Sequence, residues 1–114
     1  MELDHPPDRA YFLLGGPIAM AWNWNDQGTP PGHVVEPGAI GTVSYQDRPY
    51  AFVRGNDGHL WVNWFDGSAW HWSDQGTPPG HDVQPGAIGT VSYQDRPYAF
   101  VRDGEDLWVN WWSQ

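Results

Sequence analysis

The residues with chemistry to offer fall into two recurring groups set in turn-rich sequence. One group brings Trp24, Asp26, Gln27 and His33 together along the chain and returns as Trp72, Asp74, Gln75 and His81. The other is Arg54, Asn56, Asp57, His59 and Trp61, answered later by Arg102, Asp103 and Trp108. Broad aromatic faces beside fixed hydrogen-bonding groups suit a ligand with one apolar face and a polar rim. A pyranose ring has that form, with C–H groups on one face and hydroxyls around its edge. The candidate carbohydrate contacts are therefore Trp24, Trp61, Trp72, Trp108, Arg54, Arg102, Gln27, Gln75, His33 and His81. Plainer roles compete at each position: Trp can pack between layers, Arg can pair with carboxylates, and His can be solvated.

Catalysis is the weaker reading. Glycoside hydrolysis needs two carboxyl groups held in different environments at one site. Here the acidic residues sit in turn-like contexts, and near-identical copies repeat them instead of building one specialised centre. We expect no enzyme and no catalytic residue. Asp57-Gly58 and Asp103-Gly104-Glu105-Asp106 lack the alternating oxygen ligands of a calcium loop. The absence of Cys removes disulfides and thiolate sites alike. The expectation is no metal and no cofactor.

An internal repeat must position these groups. Ala21 to Arg54 reads AWNWNDQGTPPGHVVEPGAIGTVSYQDRPYAFVR, and Ala69 to Arg102 matches it at 30 of 34 positions. The offset is 48, from 69 − 21. The exceptions are Asn23/His71, Asn25/Ser73, Val34/Asp82 and Glu36/Gln84. Beyond them GNDGHLWVNWF in the first copy faces DGEDLWVNWW in the second, one residue shorter. The organisation is thus a degenerate segment at 1–20 followed by two repeats, 21–68 and 69–114, within 21–114.

Each repeat divides into four short β-rich runs separated by turn residues. The first copy gives Ala39 to Tyr45, Tyr50 to Arg54, His59 to Phe65 and Ala69 to Ser73. Gln46-Asp47-Arg48-Pro49, Gly55-Asn56-Asp57-Gly58 and Asp66-Gly67-Ser68 form the turns between them. Prolines 30, 31, 37 and 49 interrupt any helical period. In the third run Leu60, Val62 and Trp64 share one face while Trp61, Asn63 and Phe65 share the other. Large apolar groups on both faces suit a sheet packed on both sides. Four antiparallel strands in a repeat of this length predict an all-β fold, a β-propeller of four-stranded blades with two blades per chain.

The order of runs is offset from the blade. A fourth-type run, Ala21 to Asn25, comes first, and the second copy stops at a third-type run, Leu107 to Trp112. Such open edges invite pairing with another chain. The expectation is a ring completed by cyclic oligomerisation, a trimer of six blades in preference to a tetramer of eight.

Composition narrows the partners. The chain has nine Trp, five Tyr, four Phe, 14 Gly and 11 Pro, and its five basic residues are all Arg. Against 14 acidic residues the net charge is −9, which repels nucleic acid and anionic membranes. No apolar run is long enough to span a bilayer, and MELDHPPDRA lacks the pattern of a Sec signal peptide. A soluble chain of cytoplasmic synthesis, open to later release, is expected, with neither nucleic acid nor membrane insertion among its associations.

The run DRPYAFVRGNDGHLWVNWFDGSAWHWSDQG, Asp47 to Gly76, resembles the blade repeat of the bacterial fucose-binding lectins first described from Photorhabdus. It is similar more loosely to the fungal Psathyrella velutina lectin. The resemblance covers 21–114, and Arg48 to Trp64 is its most specific part. It implies shallow sites between adjacent blades that bind fucosides or related, sometimes O-methylated, sugars. Those relatives carry a whole ring in one chain, and this chain carries two blades. The resulting expectation is a multivalent, non-catalytic lectin with fucosylated or O-methylated glycans and copies of itself as partners. The alternative is a symmetric protein-binding or structural propeller scaffold, with a glycoside hydrolase behind it.

Overall fold

A computed structural model describes residues 22–38 and 40–113. The 1–20 segment therefore lies outside the described residues, as does Ala39 at the start of the first expected strand. Among the described residues, seven strands form two antiparallel meanders. The first sheet holds β1 (Gly41–Tyr45), β2 (Arg48–Arg54), β3 (Leu60–Phe65) and β4 (Trp70–Gly76), in that spatial order. The second holds β5 (Gly89–Tyr93), β6 (Arg96–Arg102) and β7 (Leu107–Trp111). No helix is long and apolar enough to cross a membrane among the described residues.

The hairpin chemistry is local. Gln46 and Asp47 adopt φ of 52° and 61°, and Gln94 and Asp95 repeat this at 51° and 61°. Two successive left-handed residues form the tight turn whose twist matches that of the flanking strands. Asp tolerates this conformation better than most residues. The turn is therefore Gln46-Asp47 alone, and Arg48 and Pro49 belong to β2 opposite Tyr45 and Ser44. Pro49 is accommodated because the β2–β3 pairing begins one residue later, at Tyr50↔Trp64.

Register places Phe52 beside Val62 and Tyr50 beside Trp64. These residues, with Val43 and Leu60, make the front face of the first sheet. The core forms where this face meets the back of the second: Phe52, Leu60 and Val62 pack with Val83, Ile88, Ala99 and Val101. The first strands of the two sheets run closest together, and the Thr90 hydroxyl donates to the Thr42 carbonyl. Gly41 permits that approach, because a Cβ there would lie 2.6 Å from Thr90 Cγ2 and 2.9 Å from the Ile88 carbonyl oxygen. Its copy Gly89 has nothing within 4 Å.

Of the expected strand at Ala21 to Asn25, Ala21 lies outside the described residues and the remainder forms no strand within one chain. Trp22 to Asn25 lie outside any strand, and Trp24 is 99% exposed. The physical reason is that, among the described residues, no free third-type strand lies beside them: β3 is already paired by β4, while β7 is paired there only by β6.

Candidate functional site

The β2–β3 turn gathers one group of expected contacts by backbone geometry. The Gly55 amide donates to the His59 carbonyl at 3.0 Å, and the Gly58 amide donates to the Gly55 carbonyl at 3.0 Å. The loop preceding β1 lies against this turn through a bridge between Val35 and Gly55. His33 Nδ1 thereby comes 3.2 Å from Asn56 Oδ1, and His33 Nε2 comes 3.5 Å from Asp57 Oδ2. Trp61 Nε1 donates to Asp57 at 3.2 Å, with the His33 ring 6.0 Å from its own. His59 Nδ1 lies 2.9 Å from Asp74 Oδ1.

Electrostatics follows this network. The hydrogen bond to Asp74 raises the His59 pKa; burial opposes it, and nearby Asp74, Asp57 and Asp82 reinforce it. Burial alone would raise the Asp57 carboxyl, but hydrogen bonds from the His59 amide and Trp61, with His59 and His33 nearby, lower it overall. Asp57, His59 and Asp74 offer ligand atoms within 4.8 Å of one another, close enough to share a cation. The same atoms already bond to each other, to Trp61 and to the Gly76 amide. They form a closed hydrogen-bond network that ties the turn to the end of β4.

Most of the expected contacts at this end are engaged within the chain. Trp61 is buried. Arg54 Nε donates to the Val83 carbonyl at 2.5 Å, and its Nη1 pairs with Glu36 at 3.6 Å. Arg102 Nε donates to the Gly104 carbonyl at 2.6 Å. His81 is exposed, 3.8 Å from the buried Asp103 carboxylate. Trp108 is half-buried with an Nε1 that no acceptor among the described residues reaches. Trp72 Nε1 donates to the Gln27 carbonyl at 3.0 Å.

The more open feature lies between the sheets, toward the opposite turn. A cleft of about 370 Å³ separates the front of the first sheet from the back of the second. Tyr50 and Trp64 line it as a nearly parallel pair, with centroids 5.6 Å apart and planes 3° from parallel. Trp112 contributes from the second sheet. Gln46, Arg48, Ser73, Gln75 and Asn110 provide the polar groups. Ser73 accepts from Trp64 Nε1 at 3.2 Å, which fixes the indole plane. Of the residues expected from sequence only Gln75 lines this cleft. Arg48, expected as a turn residue, and Tyr50, Trp64 and Trp112 are not among the contacts expected from sequence. The signal that could have found Trp64 is the alternation in β3, which sets it on the same face as Leu60 and Val62.

The lining contains aromatic, aliphatic, amide, hydroxyl and guanidinium groups but no Asp or Glu. Such a site can stack an apolar face and hydrogen-bond hydroxyls; it holds no carboxyl pair to move a proton. A search of protein-family models, curated proteins and solved structures finds no match to this chain.

Proposed function

We propose that the chain is a non-catalytic carbohydrate-binding module that takes fucosides or related sugars, O-methylated ones included, in clefts between sheets stacked as propeller blades. The observation that carries this reading is the inter-sheet cleft, with the Tyr50–Trp64 pair and Trp112 beside Gln75, Asn110 and Arg48. Its volume falls in the range of small-molecule sites, roughly 300–1,000 Å³. Apolar rings give the C–H face of a sugar a surface to pack on, and the amides and guanidinium serve its hydroxyls. The absence of carboxylates from the lining favours binding over hydrolysis. Two stacked meanders with their first strands innermost are consistent with two blades, and copies of the chain complete the ring. Single sites of this openness bind weakly, and several in one assembly raise the effective affinity for a glycan-coated surface.

Titration with L-fucose and its methyl glycosides, followed by Trp fluorescence and by glycan-array binding, tests the reading. Saturable binding that free fucose competes is expected. Trp64→Ala weakens it about tenfold or more, the equivalent of ~1.4 kcal/mol. An array on which no sugar binds the folded protein overturns it.

A further inference from the structure

The first sheet's front face is covered and the second sheet's is bare, although the first three strands of each place the same residues on that face. Tyr45 is 7% exposed and its copy Tyr93 58%; Leu60 is 2% exposed and its copy Leu107 74%. Val91 and Trp111 are exposed on the same bare face. Gly89 opens to empty space where Gly41 meets Thr90 and Ile88. In the first sheet this face is buried by the back of a following sheet, and its outer edge is paired by β4. The chain holds a second copy of each covering element, but at its other end. Residues 21–28 match 69–76 at six of eight positions, Trp22 and Trp24 are exposed, and no strand includes them. On the far side of the first sheet, Pro49 and Asn63, the counterparts of Pro97 and Asn110, line an open groove with Trp70.

We propose that residues 22–28 of one copy add to β7 of the preceding copy as its fourth strand, and that this exchange builds a second sugar cleft from residues of both copies. The proposal rests on the carbohydrate reading for the cleft's ligand, though not for the pairing. The register follows from β3–β4, where Val62 opposes Ser73, Asn63 opposes Trp72 and Phe65 opposes Trp70. Transferred across the repeat, Val109 opposes Asn25 of the next copy, Asn110 opposes its Trp24, and Trp112 opposes its Trp22. Trp111, the counterpart of Trp64, then finds Asn25 where Trp64 finds Ser73, and Gln27 takes the place of Gln75. The bare front of the second sheet meets the groove face of the neighbour's first sheet, repeating the contact already made inside the chain. The contact is head-to-tail, so a rotation that closes it gives a ring, not a symmetric pair. Within one chain the inter-sheet cleft needs no partner; the cleft on the bare face lacks its Asn25 and Gln27 wall until the next copy arrives.

The test measures assembly first, without sugar. Native mass spectrometry of the chain is expected to show a whole multiple, three or four, of 12.9 kDa, and Trp24→Ala is expected to convert it to monomer while far-UV circular dichroism stays β-rich. Because the chain has no Cys, the double variant Asn25→Cys, Val109→Cys reports register directly. Oxidation is expected to give a covalent ladder ending at the mass of the ring. A monomer in the native spectrum, a two-fold dimer, or a disulfide confined to single chains overturns the strand exchange. Sugar binding is read separately as sites per chain. Two per chain in the assembly, falling to one in the Trp24→Ala monomer, supports the shared cleft. One per chain in both overturns the shared cleft, and none in either means that the carbohydrate reading fails while the assembly result stands.

Discussion

The two repeats carry almost the same residues and live in different surroundings. β1 and β5 are both GTVSY, and β2 and β6 are both RPYAFVR. Hairpin turns, strand registers and the T-shaped contact between the first two tyrosines recur in each. Burial does not recur. In the first unit the front face is the protein's core, and in the second it faces solvent. Local conformation is thus set by the segment, while burial is set by what lies across from it. The stacked pair shows the intermediate case. Tyr50–Trp64 and Tyr98–Trp111 both keep near-parallel rings, at 5.6 and 6.0 Å, because both residues sit side by side on neighbouring strands. Only the first pair has a second sheet above it.

The largest test of this contrast compares Leu60→Ala with Leu107→Ala. Leu60 lies in the core and should lose about 2–5 kcal/mol in denaturant unfolding. Leu107→Ala should cost under ~1 kcal/mol in the separated chain, and approach the Leu60 value wherever a neighbour covers it. Equal losses in a verified monomer would break the comparison. Next in size is the glycine pair. Gly41→Ala drives a Cβ into Thr90 and Ile88 and should destabilise by about 1–3 kcal/mol. Gly89→Ala should leave the stability of the separated chain unchanged and weaken assembly, which a thermal melt and a native mass measurement separate.

The smallest effect concerns pH. His59 has no counterpart, because Asp106 precedes Leu107 where His59 precedes Leu60. Its pKa is raised in the fold, chiefly by Asp74. The stability this adds is fully present below the unfolded value of about 6.5 and is lost as pH rises through the higher folded value. A half-exposed pair contributes little, so His59→Gln should lower Tm by on the order of 1–2 °C in mild acid. Melts from pH 5 to 9 should show the gap closing on the alkaline side; a gap that widens there contradicts the assignment.

Much of the fold was legible in the alternation and turn signals. The strands fall within a few residues of the runs read from sequence, and Leu60, Val62 and Trp64 share a face as their spacing required. Pro49 reads as a turn residue in sequence because Pro usually punctuates strands; in the fold it lies in β2, where only β1 demands pairing at that position. The site was less legible. Trp61 and Arg54 have the residue types of ligand contacts, but folding engages Trp61 with Asp57 and Arg54 with Glu36 and Val83. Trp64 and Trp112 are not among the contacts expected from sequence. The gap between two sheets, a property of neither strand alone, leaves part of them open.

Sequence by itself determined the repeat, the all-β class, the turn-rich stretch at Gln46 to Pro49 within which the first hairpin reverses, the excess of acidic over basic residues and the lack of cysteine chemistry. Each of these depends on residues close in the chain or on simple totals. The tertiary structure decided which copy of a shared face is buried, which Trp lines the inter-sheet cleft, and which segment stays out of a sheet. Those outcomes depend on what packs across from a residue, and two identical sequences with different neighbours must differ there.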